Sequence, residues 1–254
     1  MKIAVCVKHA VDESELKVGP SGVPVLEGAL GKMGTFDKNA VEEAVRMKAQ
    51  QGGEIEIFSV GTADTKKTIK EALAMGADRG TLVNTAGAAL DALGVSALLA
   101  ACLKAKGPFD IVICSEGSSD IYTGEVPPML AQRLGVPFIG FARKVQVGAG
   151  KVVAECSLEE SVETIEAALP AVISVVSEAN EPRYPTLIQI MQAGKKPLEE
   201  RNAADLGVDI AAAVKVLTMN AQTPVRKRVM IEGTPAEAAA KLVASLRAEG
   251  VLPR

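Results

Sequence analysis

Short runs of β-branched and apolar residues alternate with helical patterns four times in the first half of the chain, and no other feature constrains the fold as much. The run KIAVCVK (Lys2 to Lys8) precedes a helix-like DKNAVEEAVRMKAQ, and EIEIFSVG precedes TADTKKTIKEALAMGA. GTLVN precedes LDALGVSALLAACLKAK, and FDIVICSEG precedes GEVPPMLAQRLG. A near-continuous apolar strand must be covered on both faces, and a strand–helix–strand succession does this with a parallel sheet between helical layers. The expected fold is therefore α/β, doubly wound on a mostly parallel sheet, with right-handed crossovers. Gly52-Gly53, Gly76 and Gly107-Pro108 mark helix ends, and Asn39 with Glu42 fits a capping box for the first helix.

Beyond residue 137 the pattern changes. ARKVQVGAGKVVAECS carries two alternating segments around Gly148-Ala-Gly150, as an antiparallel hairpin at the sheet edge would. ALPAVISVV returns to a buried strand. Residues 9–36 hold five glycines and two prolines and read as a long loop. Near the end, Thr234 with Pro235 and Glu237 predicts the start of a last helix. The boundary of a C-terminal arm is expected near Gln222-Thr223-Pro224. This gives an α/β domain over 1–224 and an arm over 225–254.

The 254 residues suffice for a sizeable core without disulfides or metals. With 28 basic against 31 acidic residues the net charge is −3, which argues against a general nucleic-acid binder. Cys6, Cys102, Cys114 and Cys156 sit in apolar runs without CxxC spacing, so they read as small buried residues in a reducing compartment. His9 is the one histidine and cannot alone anchor a metal site or a Ser-His-Asp triad. No signal peptide and no 18-residue apolar run is apparent, so direct membrane insertion is not expected.

In an open parallel sheet, ligands bind beyond the carboxyl ends of the strands. Three loops leave strands there: KHAVDESE, SVGTADTKKT and CSEGSSDIYTGEVPP. The third is rich in small and hydroxyl residues and leads into a helix. Ser118, Ser119 and Thr123, with the amides near Gly124 and Glu125, could hold an anion; a plain capped turn is the alternative. Walker A, GxGxxG, GxSxG and HExxH are all absent. Glu159, Glu160 and Glu163 read as a solvated face rather than an acid–base pair. No catalytic set emerges, which points to a protein that binds a nucleotide without transforming it.

The stretch NEPRYPTLIQIMQAGKKP, Asn180 to Pro197, reads as a loop stiffened by Pro182 and Pro185. Arg183 and Tyr184 are of types enriched in interface hot spots. Leu187, Ile188 and Ile190 could form an apolar anchor, with Lys195 and Lys196 as a basic rim. Packing of Tyr184 and Leu187 back onto their own domain is the alternative.

KIAVCVKHAVD, FDKNAVEEAVRMK, KEALAMGADRG, LPAVISVVSEANEPRYPTLIQIMQAGKKPLE and ADLGVD together resemble, in order and over nearly the whole chain, the beta (small) subunit of electron-transfer flavoprotein. The resemblance implies a Rossmann-like sheet of the adenine-nucleotide-binding type, with an arm that packs on an alpha subunit in a heterodimer. It implies a non-catalytic carrier that shares FAD with the alpha subunit and binds AMP structurally. Electrons would come from acyl-CoA dehydrogenases of fatty acid oxidation, or other flavin dehydrogenases, and pass to a quinone oxidoreductase. Such a protein works in the cytoplasm, or in the mitochondrial matrix of a eukaryote.

By the same resemblance Ala10, Gly61, Thr65 and the stretch Ser118, Ser119, Asp120, Thr123, Gly124, Glu125, Val126 match AMP-holding segments. Phe36 matches an aromatic near the flavin. Tyr184, Leu187, Ile188 and Ile190 fall in the recognition loop, whose leucine, here Leu187, enters a pocket on the partner dehydrogenase. Two positions depart from the pattern. Gly34 stands where the family often has Asn, and the loop DIYTGEVPP differs from the DGDTAQVGP-like loop of electron-bifurcating members, which bind a second FAD in place of AMP. An adenine-nucleotide-binding regulatory module and a nucleotide-using enzyme share the fold. The first needs no tail or rigid apolar loop, and the second needs a cluster of catalytic residues at the strand ends.

Overall fold

The structure is a computed structural model that describes residues 1–221 and 226–253. Its center is a nine-stranded sheet with the order β11-β10-β9-β12-β8-β1-β6-β7-β13. The strands are β1 (Lys2–Cys6), β6 (Glu54–Gly61), β7 (Arg79–Asn84), β8 (Ile111–Ser115), β9 (Phe138–Gly148), β10 (Lys151–Ser157), β11 (Val162–Ala168), β12 (Ala171–Val175) and β13 (Leu198–Asn202). From β9 across to β13 all pairs are parallel; β10 and β11 are antiparallel. The expected edge hairpin is thus present, extended by β11 into a three-stranded meander. Glu159 and Glu160 lie in its turn and Glu163 on β11, all exposed.

Each central strand sends alternate side chains to opposite faces. Ile3, Val5, Ile55, Ile57, Ile111 and Ile113 face a core closed by α1 (Thr35–Gln51), α2 (Lys66–Met75) and the short α5 (Leu187–Ala193). Ala4, Cys6, Phe58, Val112 and Cys114 face a second core under α3 (Ala92–Lys106) and α4 (Val126–Leu134). The four cysteines are free and buried. Burying each Ile or Phe contributes roughly 1.5–3 kcal/mol relative to exposure, which is why both faces need cover.

Residues 9–36 are not a plain loop. β2 (His9–Val11) pairs with β5 (Gly31–Met33), and β3 (Lys17–Val18) with β4 (Pro24–Val25), both antiparallel. These strands are too short to leave a period in the sequence. The expected capping box of α1 is also corrected. The helix starts at Thr35 with Gly34 as its cap, so Asn39 and Glu42 lie inside it, buried. Asn39 Nδ2 instead donates to the carbonyls of Ser177 (3.0 Å) and Asn180 (2.8 Å).

The last helix, α6 (Pro235–Ala248), has the predicted Thr234–Glu237 capping box, and none of its residues is buried. The expected arm boundary at residues 222–224 lies outside the described residues. Among the described residues no helix is long and apolar enough to cross a membrane.

Ile57 is fully buried between Val5 and Gly80 in register. Ile57→Ala should cost about 2–5 kcal/mol by urea denaturation, as a lowered midpoint with an unchanged slope.

Candidate functional site

The cleft follows from how the sheet is wound. The connections through α1 and α2 cover one face, and those through α3 and α4 cover the other. At β1 the loops therefore diverge and leave a crevice beyond the carboxyl ends. A cleft of about 540 Å³ lies there, lined by Cys6, Val7 and Lys8 from β1 and its exit, Val60 from β6, and Cys114 and Ser115 from β8. Leu90, Leu93 and Val95 at the start of α3 form an apolar wall, and Val214 and Val216 from the C-terminal segment face it. Ser118, Thr123, Gly124, Glu125 and Val126 supply a more polar part of the lining. The volume falls within the roughly 300–1,000 Å³ of small-molecule sites.

The polar part is the loop into α4 and its N-terminus, where the amides of Gly124, Glu125 and Val126 precede two prolines and Val126 N, at the first helical position, has no intrahelical acceptor. Pro127 and Pro128 stand in the first turn, where a missing N–H costs nothing. Gly124 takes φ +65°, which brings its backbone into line with the cleft wall, and a Cβ there would stand 3.1 Å from Glu116 O. Ser119 Oγ is buried without a hydrogen-bond partner. Apolar walls with one donor-rich end fit a nucleotide whose base is flat and whose phosphate is anionic.

Charge beneath the loop is arranged around Lys8. Its Nζ donates to Asp120 Oδ1 (2.6 Å) and Ser118 Oγ (3.4 Å), while Asp120 Oδ2 accepts from Val11 N (3.2 Å). Against the upward push of partial burial, Lys8 and Ser118 hold the Asp120 carboxyl below the usual range. Asp37, in the first turn of α1, accepts from Ser115 Oγ (2.6 Å) and Lys8 N (2.8 Å). Burial pushes Asp37 up to about 7, against the lowering by those donors and by the Lys8 charge; Asp120 adds to the rise.

The site residues expected from the sequence divide into groups. Ser118, Thr123, Gly124, Glu125 and Val126 line the cleft together. Asp120 and Ser119 lie behind them, Asp120 as the partner of Lys8. Ala10 is buried on β2 next to the Val11 amide that binds Asp120. Gly61 and Thr65 form a separate turn at the end of β6, where a Cβ on Gly61 would meet Thr65 Oγ1. Phe36 is half-buried and packs edge-on against Tyr122 at 5.4 Å. Tyr122 takes φ +54° and its hydroxyl donates to Glu116 (2.8 Å), so the bulky ring packs on Phe36 while Ile121 lines the cleft. The sequence did not single out Leu90, Asp91, Leu93, Val214 and Val216; they come from helix and tail segments that carry no motif.

The second feature is the projecting segment. Residues 187–193, expected as loop, form α5, with a Thr186–Gln189 capping box. Tyr184 is 91% exposed and Leu187 72%, and Ile188, Ile190 and Met191 are exposed beside them. Arg183 is exposed as well, but it is not free. Its Nε and second guanidinium nitrogen donate to Glu42 at 2.7 and 2.9 Å, tying the segment to α1. Asn180 Nδ2 donates to Glu43 (3.0 Å) and Asn39 O (3.1 Å). Lys196 is not a rim residue either: its Nζ donates to Leu73 O (2.8 Å) and Ala77 O (2.6 Å) at the end of α2.

A family model described as "Electron transfer flavoprotein domain" matches residues 23–206. The electron transfer flavoprotein subunit beta of Bacillus subtilis (strain 168) is 34% identical over 98% of each chain. That of Mus musculus is 37% identical, again over 98% of each. The caffeyl-CoA reductase-Etf complex subunit CarD of Acetobacterium woodii is 32% identical over 82% of this chain and 80% of its own. This chain belongs to the electron transfer flavoprotein beta-subunit family.

Members of this family have an electron-transfer role in a flavoprotein. In a flavoprotein the redox chemistry belongs to the flavin. The beta-subunit chain contributes shape: a cleft at the start of α1 and an exposed apolar helix tethered to its middle.

Asp37 yields a test. Its folded pKa is raised to about 7 from a usual value of 3.8, so the folded state binds this proton more tightly than the unfolded state. Stability from this site is full at low pH and is lost as pH rises from about 4 through about 7. Asp37→Asn should gain on the wild type between pH 5 and pH 8, by on the order of 1–3 kcal/mol, in urea melts at both values. A difference independent of pH would refute the assignment.

Proposed function

We propose that the chain is the beta subunit of a heterodimeric electron carrier that holds AMP in the cleft and shares FAD with an alpha subunit. The single observation that carries this reading is the pairing of two features on one body. They are a cleft with the hydroxyls of Ser118 and Thr123 and the amides of Gly124 to Val126 at one end and apolar walls, and a rigidly tethered, exposed apolar helix. AMP would lie with its phosphate toward Ser118, Thr123 and the amides of Gly124 to Val126, and its base toward Leu90 and Leu93. Ala10, Gly61, Thr65, Ser119 and Asp120 support the walls around it.

FAD supplies the one- and two-electron chemistry when bound, and Phe36 with Tyr122 presents an aromatic edge to that side. The arm over 225–254 packs on the alpha subunit; its exposed Val229, Met230, Leu242 and Val243 are the apolar surface it would bury. Tyr184, Leu187, Ile188 and Ile190 dock into a flavin dehydrogenase of the acyl-CoA type, as an anchor that leaves the flavin region free to move. The electrons pass on to a quinone-linked acceptor, and the carrier works in the cytoplasm or an equivalent compartment.

A second reading places another FAD in the cleft, as in a bifurcating flavoprotein. The resemblance of this chain to CarD, from a caffeyl-CoA reductase-Etf complex, favors keeping it. Acid extraction of the co-expressed heterodimer separates the two. AMP and FAD in equal amounts support the carrier, whereas twice the FAD and no AMP supports the second reading.

The anchor has its own test. Leu187→Ala should slow reduction by the dehydrogenase about tenfold in stopped flow with flavin content unchanged, because a buried anchor is worth about 1–2 kcal/mol. Unchanged kinetics would remove the anchor role.

A further inference from the structure

Asp91 stands just ahead of α3 and uses its two carboxylate oxygens for different segments. Oδ1 accepts from Gly94 N at 2.9 Å, which caps the helix. Oδ2 accepts from Ala213 N at 2.7 Å and Val214 N at 3.2 Å, in the extended C-terminal segment. That segment runs toward Asp91 along α3. Leu206, Val208 and Ile210, at every second position, pack on the same core as Leu98 and Leu99. Gly94 allows the approach, because a Cβ there would stand 3.3 Å from Ile210 O and 3.2 Å from a Leu90 methyl. Glycine inside a helix costs about 1 kcal/mol relative to alanine, so the close passage of the backbone is what the residue serves. Farther on, Ala221 N donates to Gly22 O at 2.8 Å, which fixes the segment again across the hairpins of the N-terminal region.

Val214 and Val216 lie between these two attachments. Both line the cleft, and each is 68% exposed. A flat base in the cleft would take them out of water, and their contacts would oppose its departure. We propose that Asp91 is a positioning residue, a clasp that holds residues 213–216 across the mouth of the cleft so that Val214 and Val216 form an outer wall retaining the adenine nucleotide. The inference rests on the reading of the cleft as an adenylate site. Its consequence is that the segment leading to the partner-binding arm is also one wall of the nucleotide site, so retention of the nucleotide depends on how that segment is held. The amides of Gly94, Ala213 and Val214 hold the Asp91 carboxyl below the usual range, so it is ionized and accepting at neutral pH.

The test uses the intact heterodimer loaded with radiolabelled AMP and follows release during a chase with unlabelled AMP. Asp91→Ser keeps a good helix cap but is too short to reach the segment. It should release AMP at least about tenfold faster, the scale of a lost hydrogen bond to a charged acceptor. The double variant Val214→Ser, Val216→Ser leaves Asp91 intact and should also release AMP faster. It keeps the inference testable if Asp91→Ser fails to fold. Wild-type release rates in both variants would overturn the clasp while leaving the adenylate site standing. A wild-type heterodimer that retains no AMP would instead overturn the adenylate reading and the clasp with it.

Discussion

The structure depends on β1 being used up along its whole length. It is hydrogen-bonded on one side to β6 and on the other to β8, and its side chains are buried on both faces. Such a strand can present nothing from its middle, so whatever it contributes must leave from its carboxyl end. Because α1, which follows β1, and α4, which follows the neighboring β8, lie on opposite faces, the backbone must diverge at that point. Lys8, Ser115 and Asp37 come from three separate elements and meet there, linked by 2.6 and 2.8 Å hydrogen bonds. The cleft is the space that this divergence leaves uncovered.

α1 carries the consequence to the other functional surface. Its first turn holds Asp37 at the cleft and Phe36 against Tyr122, and its middle holds Asn39, Glu42 and Glu43 against the segment from Asn180 to Arg183. Glu42 is nearly buried and accepts from Arg183 and Arg46, which hold its carboxyl below the usual range against the upward push of burial. A buried carboxylate without such partners would cost several kcal/mol, so the tether is fixed rather than incidental. The order is local: Arg183 is bound, and the residues after it are exposed. That combination keeps an apolar helix at a set distance from the cleft without burying it, and it suits a surface that must meet another protein.

Much of this was legible in the sequence, for physical reasons. Runs such as EIEIFSVG and AVISV read as strands because a strand buried on both faces is mostly apolar and β-branched, with its few buried polar side chains (Glu56, Ser59, Ser174) hydrogen-bonded, and the Thr234–Glu237 cap is a local motif whose partners are three residues apart. The hidden parts depend on distant partners or on short elements. β11 is faint in the sequence because Val162, Glu163 and Thr164 are exposed, so that the segment fits a strand or a turn equally. α5 has seven residues between prolines and glycine, too few to establish a helical period. Arg183 and Lys196 look like free surface cations until Glu42 and the end of α2 are placed beside them. Of the candidate site, the loop from Ser118 to Val126 was visible from its small residues ahead of a helix. The opposing wall was not, because Asp91, Val214 and Val216 are joined across 122 and more positions.

The central claim is that the crevice beyond β1 grips an adenylate. An experimental density map of the chain purified with its partner subunit tests it most directly. The account requires nucleotide density with its phosphate against the amides of Gly124 to Val126 and its base between Leu93 and Val214. A crevice filled by the chain's own side chains, or a nucleotide bound only elsewhere on the heterodimer, would contradict it.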